Sequence, residues 1–168
     1  MKVQRIIIWA AFISSGLDLL SKKLVLQFLG DEPVKILGSF LKLQLTYNSG
    51  AAFSFAPSAT YFFSFFSIAI ALATIHYSKR LVSRGWAVVA GLVLGGILGN
   101  MIDRIFRAPS VFRGEVVDWI QIPHWPTFNI ADSSIFMAAL IACILTFRNI
   151  QPFQVHPRDT NKAGDGNE

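Results

Sequence analysis

Uncharged apolar runs separated by short polar joints organise this chain. The clearest extends from Trp86 to Ile102 without an Asp, Glu, Lys or Arg. At about 1.5 Å per residue it reaches most of a roughly 30 Å hydrocarbon core. Tyr61 to Tyr77 is a second such run, rich in Phe, and Ile130 to Phe147 is a third, with a single charge, Asp132, near its start. The first run is shorter: Ile6 to Leu17 is followed by Asp18, Lys22 and Lys23 before the apolar pattern resumes through Leu29. Lys2 and Arg5 ahead of it imitate a secretory signal peptide. Against cleavage, no A-x-A-like site leads into a soluble domain, and Asp18 and Lys22 stand i, i+4, where they pair on one helix face. The pattern therefore predicts four transmembrane helices, the first one retained.

Between the first two runs, Ser39 to Tyr47 alternates polar and apolar positions with the period of a half-buried strand, and Asn48-Ser49-Gly50 supplies turn chemistry. The segment after the third run carries Pro109, Gly114, Pro123 and Pro126 among apolar and charged residues, a composition too structured for a plain linker. Beyond Phe147 the chain turns polar. Residues 1–150 are read as one domain and 151–168 as a disordered cytoplasmic tail. No internal repeat is visible.

Composition agrees with membrane insertion: of 168 residues, 53% are hydrophobic and 15% charged, against about 25% charged in soluble domains. The net charge of +5 comes from basic residues scattered at the ends of apolar runs. It forms no stripe, which excludes nucleic acid as a partner. Cys143, alone in the last run, permits no intramolecular disulfide and is expected to pack in the interior. Four spans put both termini on one side. Lys79, Arg80 and Arg84 in the short second joint favour the cytoplasm for that side, although the total Lys and Arg count hardly separates the two faces.

Polar side chains are few here, and a charge at membrane depth costs about 2.5–3.5 kcal/mol even on lenient scales. Under this topology Asp18, Lys22, Asn100, Asp103, Arg104, Asp118, Asn129 and Asp132 all fall at the outer ends of the spans. Gly91, Gly95 and Gly99 repeat every four residues, the pattern of close helix packing. Asn100 and Arg104, also i, i+4, either hold a ligand carbonyl or neutralise nearby carboxylates. Asp132 alone reads as a helix N-terminal carboxylate, and Asp118 alone as a loop carboxylate paired with Arg113. Together they permit more, because two close carboxylates share a proton. The ionised one then takes a proton from attacking water while the protonated one donates. His76, His124 and His156 lack ligand spacing, so no metal and no cofactor is expected. Ser21-Lys22 are adjacent on a helix and do not face each other as a nucleophile and base must.

Five ordered blocks complete the reading: Asp18-Leu19-Leu20-Ser21-Lys22, Asn48-Ser49-Gly50-Ala51-Ala52-Phe53, Gly95 through Arg104, Val116-Val117-Asp118-Trp119, and Phe128-Asn129-Ile130-Ala131-Asp132. In these blocks the chain resembles bacterial lipoprotein signal peptidase, or signal peptidase II. Trp119 stands where Phe is frequent, and Ile97 where a small residue or Leu is frequent. The resemblance implies an all-α membrane protein of four transmembrane helices with a small extracytoplasmic β-structure and a mobile segment in the second loop. It implies an aspartic endopeptidase of the bacterial inner membrane, both termini cytoplasmic and the site near the outer leaflet. The substrate would be a diacylglyceryl-modified prolipoprotein, cut before its lipidated cysteine. Membrane lipids and peptide antibiotics such as globomycin are the further expected partners. By block, Asp118 and Asp132 become catalytic; Asn48, Gly50, Asn100, Arg104 and Asn129 bind substrate; Asp18, Lys22 and Asp103 support them. Arg107, His124 and Trp125 receive no role, beyond interfacial anchoring for Trp125. The competing readings are a small ion- or proton-coupled transporter, with carboxylates spread through the membrane depth, and a structural subunit that associates through the glycine face.

Overall fold

The computed structural model describes residues 2–50 and 57–154. Ala51 to Phe53 of the second block and residues 155–168 of the expected tail, His156 included, lie outside the described residues; the start of that tail, 151–154, is held on the bundle, with the Val82 N–H donating to Pro152 O at 3.0 Å. Among the described residues four helices are each long and apolar enough to cross a membrane: α1 (Val3–Phe28), α2 (Pro57–Ser78), α3 (Arg84–Phe106) and α4 (Ile130–Phe147). The charges at Asp18 and Lys22 do not interrupt α1, which continues another turn and a half beyond them. Three strands, β1 (Val34–Leu37), β2 (Leu41–Asn48) and β3 (Val116–Gln121), form an antiparallel sheet in the order β1-β2-β3.

The expected strand at Ser39–Tyr47 is β2 displaced at its start: Ser39 and Phe40 belong to a turn, closed by the Phe40 N–H donating to Leu37 O at 3.0 Å, with Gly38 at φ +57°. Its burial is not half-and-half, because Leu41 through Thr46 are all partly exposed on both faces. Neither β1 nor β3 has a periodic signature. Four residues are too few to alternate, and Val116-Val117-Asp118 is buried throughout.

Burial is inverted relative to a soluble protein. Lys22, Asn129, Asp18, Asp103 and Asp118 are among the largest fully enclosed side chains, while Phe12 is 67% and Phe136 65% exposed. Such an apolar exterior is untenable in water and suits a lipid surround. Cys143 belongs to that exterior: it is exposed on α4, contrary to the interior position expected of it.

α3 is the central helix, packed against α1, α2 and α4, and its glycines make this possible. A Cβ on Gly91 would meet Ile7 O at 2.8 Å, and one on Gly95 would meet Ala11 O at 2.7 Å, both on α1. Gly96, which the four-residue spacing leaves out, faces α4 instead, where Ala131 O would lie 2.6 Å away. Gly99 leaves room for the Asp18 carboxylate. Ser14 Oγ donates to Ser134 Oγ at 2.7 Å and ties α1 to α4.

Gly95→Ala is expected to destabilise the protein by about 1–3 kcal/mol through overpacking against α1 backbone. Gly16→Ala, with nothing within 4 Å of the added carbon, is expected to be neutral or slightly stabilising. Thermal unfolding of both variants in detergent measures the difference, and equal melting temperatures would refute the close-packed seam.

Candidate active site

The site is built on an ion cluster shared by α1 and α3. Lys22, 1% exposed, extends its ammonium between Asp18 Oδ2 at 2.7 Å and Asp103 Oδ2 at 2.9 Å, and donates to Asn100 Oδ1 at 3.0 Å. A buried ammonium is sustainable only with partners of this kind. Each carboxylate also grips a further element. Asp18 Oδ1 accepts the Ala131 N–H of α4 at 2.9 Å, and Asp103 Oδ2 accepts the Val117 N–H of β3 at 3.2 Å. Arg107 Nε holds Asp103 Oδ1 at 2.5 Å. Arg107 was given no role from sequence, yet its i, i+4 spacing from Asp103 carried the signal.

Asp118 reaches the cluster because β3 is clamped to the chain entering α4. Trp119 and Ile120 N–H groups donate to Phe128 O at 3.0 and 2.8 Å, and Phe128 N–H returns to Ile120 O at 3.0 Å. The next residue, Asn129, caps α4: its Oδ1 accepts the Asp132 N–H at 2.9 Å while Asp132 Oδ2 accepts the Asn129 N–H at 3.2 Å, a reciprocal capping box. Asn129 Nδ2 then donates to Asp118 Oδ1 at 2.6 Å and Asn100 Oδ1 at 3.0 Å. Asn100 Nδ2 donates in turn to Asp132 Oδ1 at 2.8 Å. Asn129 thus touches both carboxylates. In the β2–β3 register Asn48 lies opposite Val116 and diagonal to Asp118, and its Nδ2 donates to Asp118 Oδ2 at 2.9 Å. The turn holds that amide, with the Gly50 N–H donating to Asn48 Oδ1 at 2.7 Å and Gly50 at φ +83°.

Asp118 is 1% exposed. Burial pushes its carboxyl up to about 7; the amides of Asn48 and Asn129 and the Lys22 charge oppose the shift, and the Asp132 charge adds to it. Asp132 is less enclosed and borders a cavity of about 480 Å³ whose walls include Trp125, Phe128, Phe136 and Met137.

All ten residues singled out from sequence meet around this end of the bundle, but not always through the contacts expected. Arg113 does not pair with Asp118; its guanidinium lies over the Tyr61 ring, 5.7 Å from the centroid. Arg104 Nη1 donates to Asn48 O at 3.0 Å and Gly114 O at 2.9 Å, so part of its capacity fastens the two loops together. Gly50 packs beside the same guanidinium. Among the described residues no group of three or more His, Cys, Asp or Glu is arranged to hold a metal ion.

Fold and site together define a multi-span membrane protein in which the carboxylates of the described residues gather at one end of a four-helix bundle, unlike a transporter with carboxylates spread through the membrane depth. A family model described as signal peptidase (SPase) II matches residues 10–148. The chain is similar to the lipoprotein signal peptidase of Streptomyces coelicolor, 44% identical over 81% of this chain and 67% of the relative. It is also similar to that of Rhodococcus jostii, 40% identical over 80% and 69%. A solved bacterial membrane enzyme superposes with a TM-score of 0.73 at 27% identity, covering 83% of this chain and 91% of that one. The chain belongs to the signal peptidase II family and is a peptidase.

Lys22→Met is expected to destabilise the protein by about 3–5 kcal/mol, because Asp18 and Asp103 lose their shared counter-charge inside the bundle. Adding Asp18→Asn should restore part of the loss, since the amide oxygen still accepts from Ala131. Thermal unfolding of the single and double variants measures this, and a double variant no more stable than Lys22→Met would contradict the charge account.

Proposed function

We propose that this peptidase removes the signal peptide from diacylglyceryl-modified prolipoproteins by hydrolysing the amide bond before the lipidated cysteine, with Asp118 and Asp132 as the catalytic pair. The observation that carries the assignment is the amide bridge: Asn129 binds Asp118 through its side chain and Asp132 through its backbone N–H. The names of the relatives supply the substrate class.

Asp118, whose pKa of about 7 keeps it substantially protonated at neutral pH, is the acid. Asp132 lies in the first turn of α4, where the positive end of the helix dipole favours negative charge, and it is the base. Asp132 takes a proton from water as the oxygen attacks the scissile carbonyl. Asp118 donates to the developing oxyanion, giving a gem-diol; as the C–N bond breaks, the proton held by Asp132 passes to the departing amine and Asp118 takes back a hydroxyl proton from the gem-diol, which restores the pair. Asn100 and Asn129 hold Asp132, Asn48 and Asn129 hold Asp118, and Gly50 and Arg104 hold Asn48 in place. The unused donors of Arg104 are available to a substrate carbonyl. The apolar cavity beside Asp132 offers the signal segment a surface, and a lipid anchor in the outer leaflet brings the scissile bond to this depth. Globomycin, as a peptide inhibitor, would compete for the same groups.

The orientation proposed is both termini cytoplasmic, in the bacterial inner membrane, supported by Lys79, Arg80 and Arg84 in the α2–α3 joint. In intact cells an impermeant thiol reagent should label a cysteine placed at Glu32 and spare one at Ser83; the reverse pattern would overturn it.

Asp118→Asn and Asp132→Asn are each expected to lower turnover of a diacylglyceryl precursor at least about a hundredfold while the protein stays folded. For the wild type, kcat/KM should fall as pH rises through about 7, where the Asp118 acid ionises. Stability has a matching sign. A raised folded-state pKa favours folding below the ordinary carboxylate pKa, and that contribution is lost as pH rises through about 7. Asn suffers no such loss, so Asp118→Asn should gain on the wild type between acidic and alkaline melts. Near-normal cleavage by either variant would remove that residue from the mechanism.

A further inference from the structure

The end of the bundle opposite the carboxylates is assembled differently. α3 separates the two ends by about 30 Å between Arg84 and Arg104, at 1.5 Å per residue. Every carboxylate among the described residues lies toward the catalytic end, from Asp18 through Asp31 and Glu32 to Asp103, Glu115, Asp118 and Asp132. The other end carries Lys2, Arg5, Lys79, Arg80, Arg84 and Arg148, with no acidic side chain among the described residues there.

Two adjoining cavities open at this cationic end. One, of about 520 Å³, is bordered by Lys79, Arg80 and Val82. The other, of about 240 Å³, runs between α2 and α3 along Thr74, Trp86, Val89 and Val93. They share three walls: Tyr77, Leu81 and Phe153. The chain after α4 builds part of this groove. Trp86 Nε1 donates to Ile150 O at 2.7 Å and the Val82 N–H to Pro152 O at 3.0 Å. These bonds bring Phe153 against Tyr77, with ring centroids 6.5 Å apart. The result is one continuous groove, cationic at its mouth and apolar along the helices.

We infer that this groove binds one anionic phospholipid of the bilayer, with its phosphate at Lys79 and Arg80 and an acyl chain along the α2–α3 seam. Charge complementarity selects an anion, and the apolar extension at membrane depth selects a lipid over a soluble phosphate. A basic pocket between spanning helices at a membrane surface suits that chemistry.

The test uses the full-length protein in detergent, titrated with phosphatidylglycerol or phosphatidylcholine, with bound lipid counted by native mass spectrometry. The wild type should retain one phosphatidylglycerol and discriminate against phosphatidylcholine. Lys79→Gln/Arg80→Gln should weaken retention about thirtyfold, the effect of two surface charges. Phe153→Ala should also weaken it, while Lys2→Gln/Arg5→Gln, which alters charge outside the groove, should change it little. Precursor cleavage by Lys79→Gln/Arg80→Gln in detergent provides the folding control. Equal losses from the two charge pairs would reduce the effect to general surface attraction and overturn the site, as would equal retention of phosphatidylcholine. Retention that rises several-fold on deletion of residues 155–168 would give the groove to the chain's own tail and would also overturn it.

Discussion

A lysine ammonium held between two carboxylates inside an apolar bundle is the constraint on which this structure depends. None of the three groups is tolerable alone at membrane depth, so Lys22, Asp18 and Asp103 lock α1 to α3 at one relative height and rotation. The remaining oxygens carry the arrangement outward, through Ala131 N to α4 and Val117 N to β3. Elements far apart in sequence are therefore indexed to the same ion triad, and Asp118 and Asp132 lie one residue beyond those two anchors. The glycines of α3 serve the same end, since Gly99 leaves the space that the Asp18 carboxylate occupies.

Local features were legible in the sequence. The spans followed from run length, and the Asp18–Lys22 pair and the glycine seam from helical spacing, because each is set within one or two turns of a single helix. What escaped was set by contacts across the chain. β3 pairs with β2 some seventy positions away, and nothing within Val116 to Gln121 distinguishes a buried strand from another short apolar run. Nothing local names the partners of Asp118: taken alone it reads as a loop carboxylate beside Arg113, yet its partners are Asn48 and Asn129, brought in by sheet register and by the clamp at Phe128. Gly96 was missed because its task is toward α4, off the face that the four-residue spacing marks. The exposure of Cys143 reverses a rule from soluble proteins, where a lone cysteine tends inward. In lipid the outside of the bundle is the apolar side.

Family membership and geometry bear on different parts of the functional reading. Membership establishes a peptidase and, through the names of relatives, supports a lipoprotein substrate. It does not by itself divide the work between two carboxylates. That division rests on environment: Asp118 is enclosed with a raised pKa, whereas Asp132 is more open, in the first turn of α4, and bordered by an apolar cavity. Under the proposed mechanism this difference makes Asp118 the acid and Asp132 the base, the asymmetry that amide hydrolysis requires.

The choice of amides around the pair follows from the same requirement. Asp118 receives its side-chain hydrogen bonds from Asn48 and Asn129, and Asp132 from Asn100, all neutral donors. An Arg or Lys in any of these places would fix geometry equally well but would hold its carboxylate ionised, and the pair would no longer keep a proton to share. Among the described residues the cations of the site make no hydrogen bond to either carboxylate of the pair. Lys22 is bound by Asp18 and Asp103, Arg107 by Asp103, and Arg104 by two main-chain carbonyls. Under the proposed mechanism the ion cluster therefore sets position and the asparagines transmit it. Asp118 is held through both oxygens by neutral amides, without the drop in pKa that a salt bridge imposes.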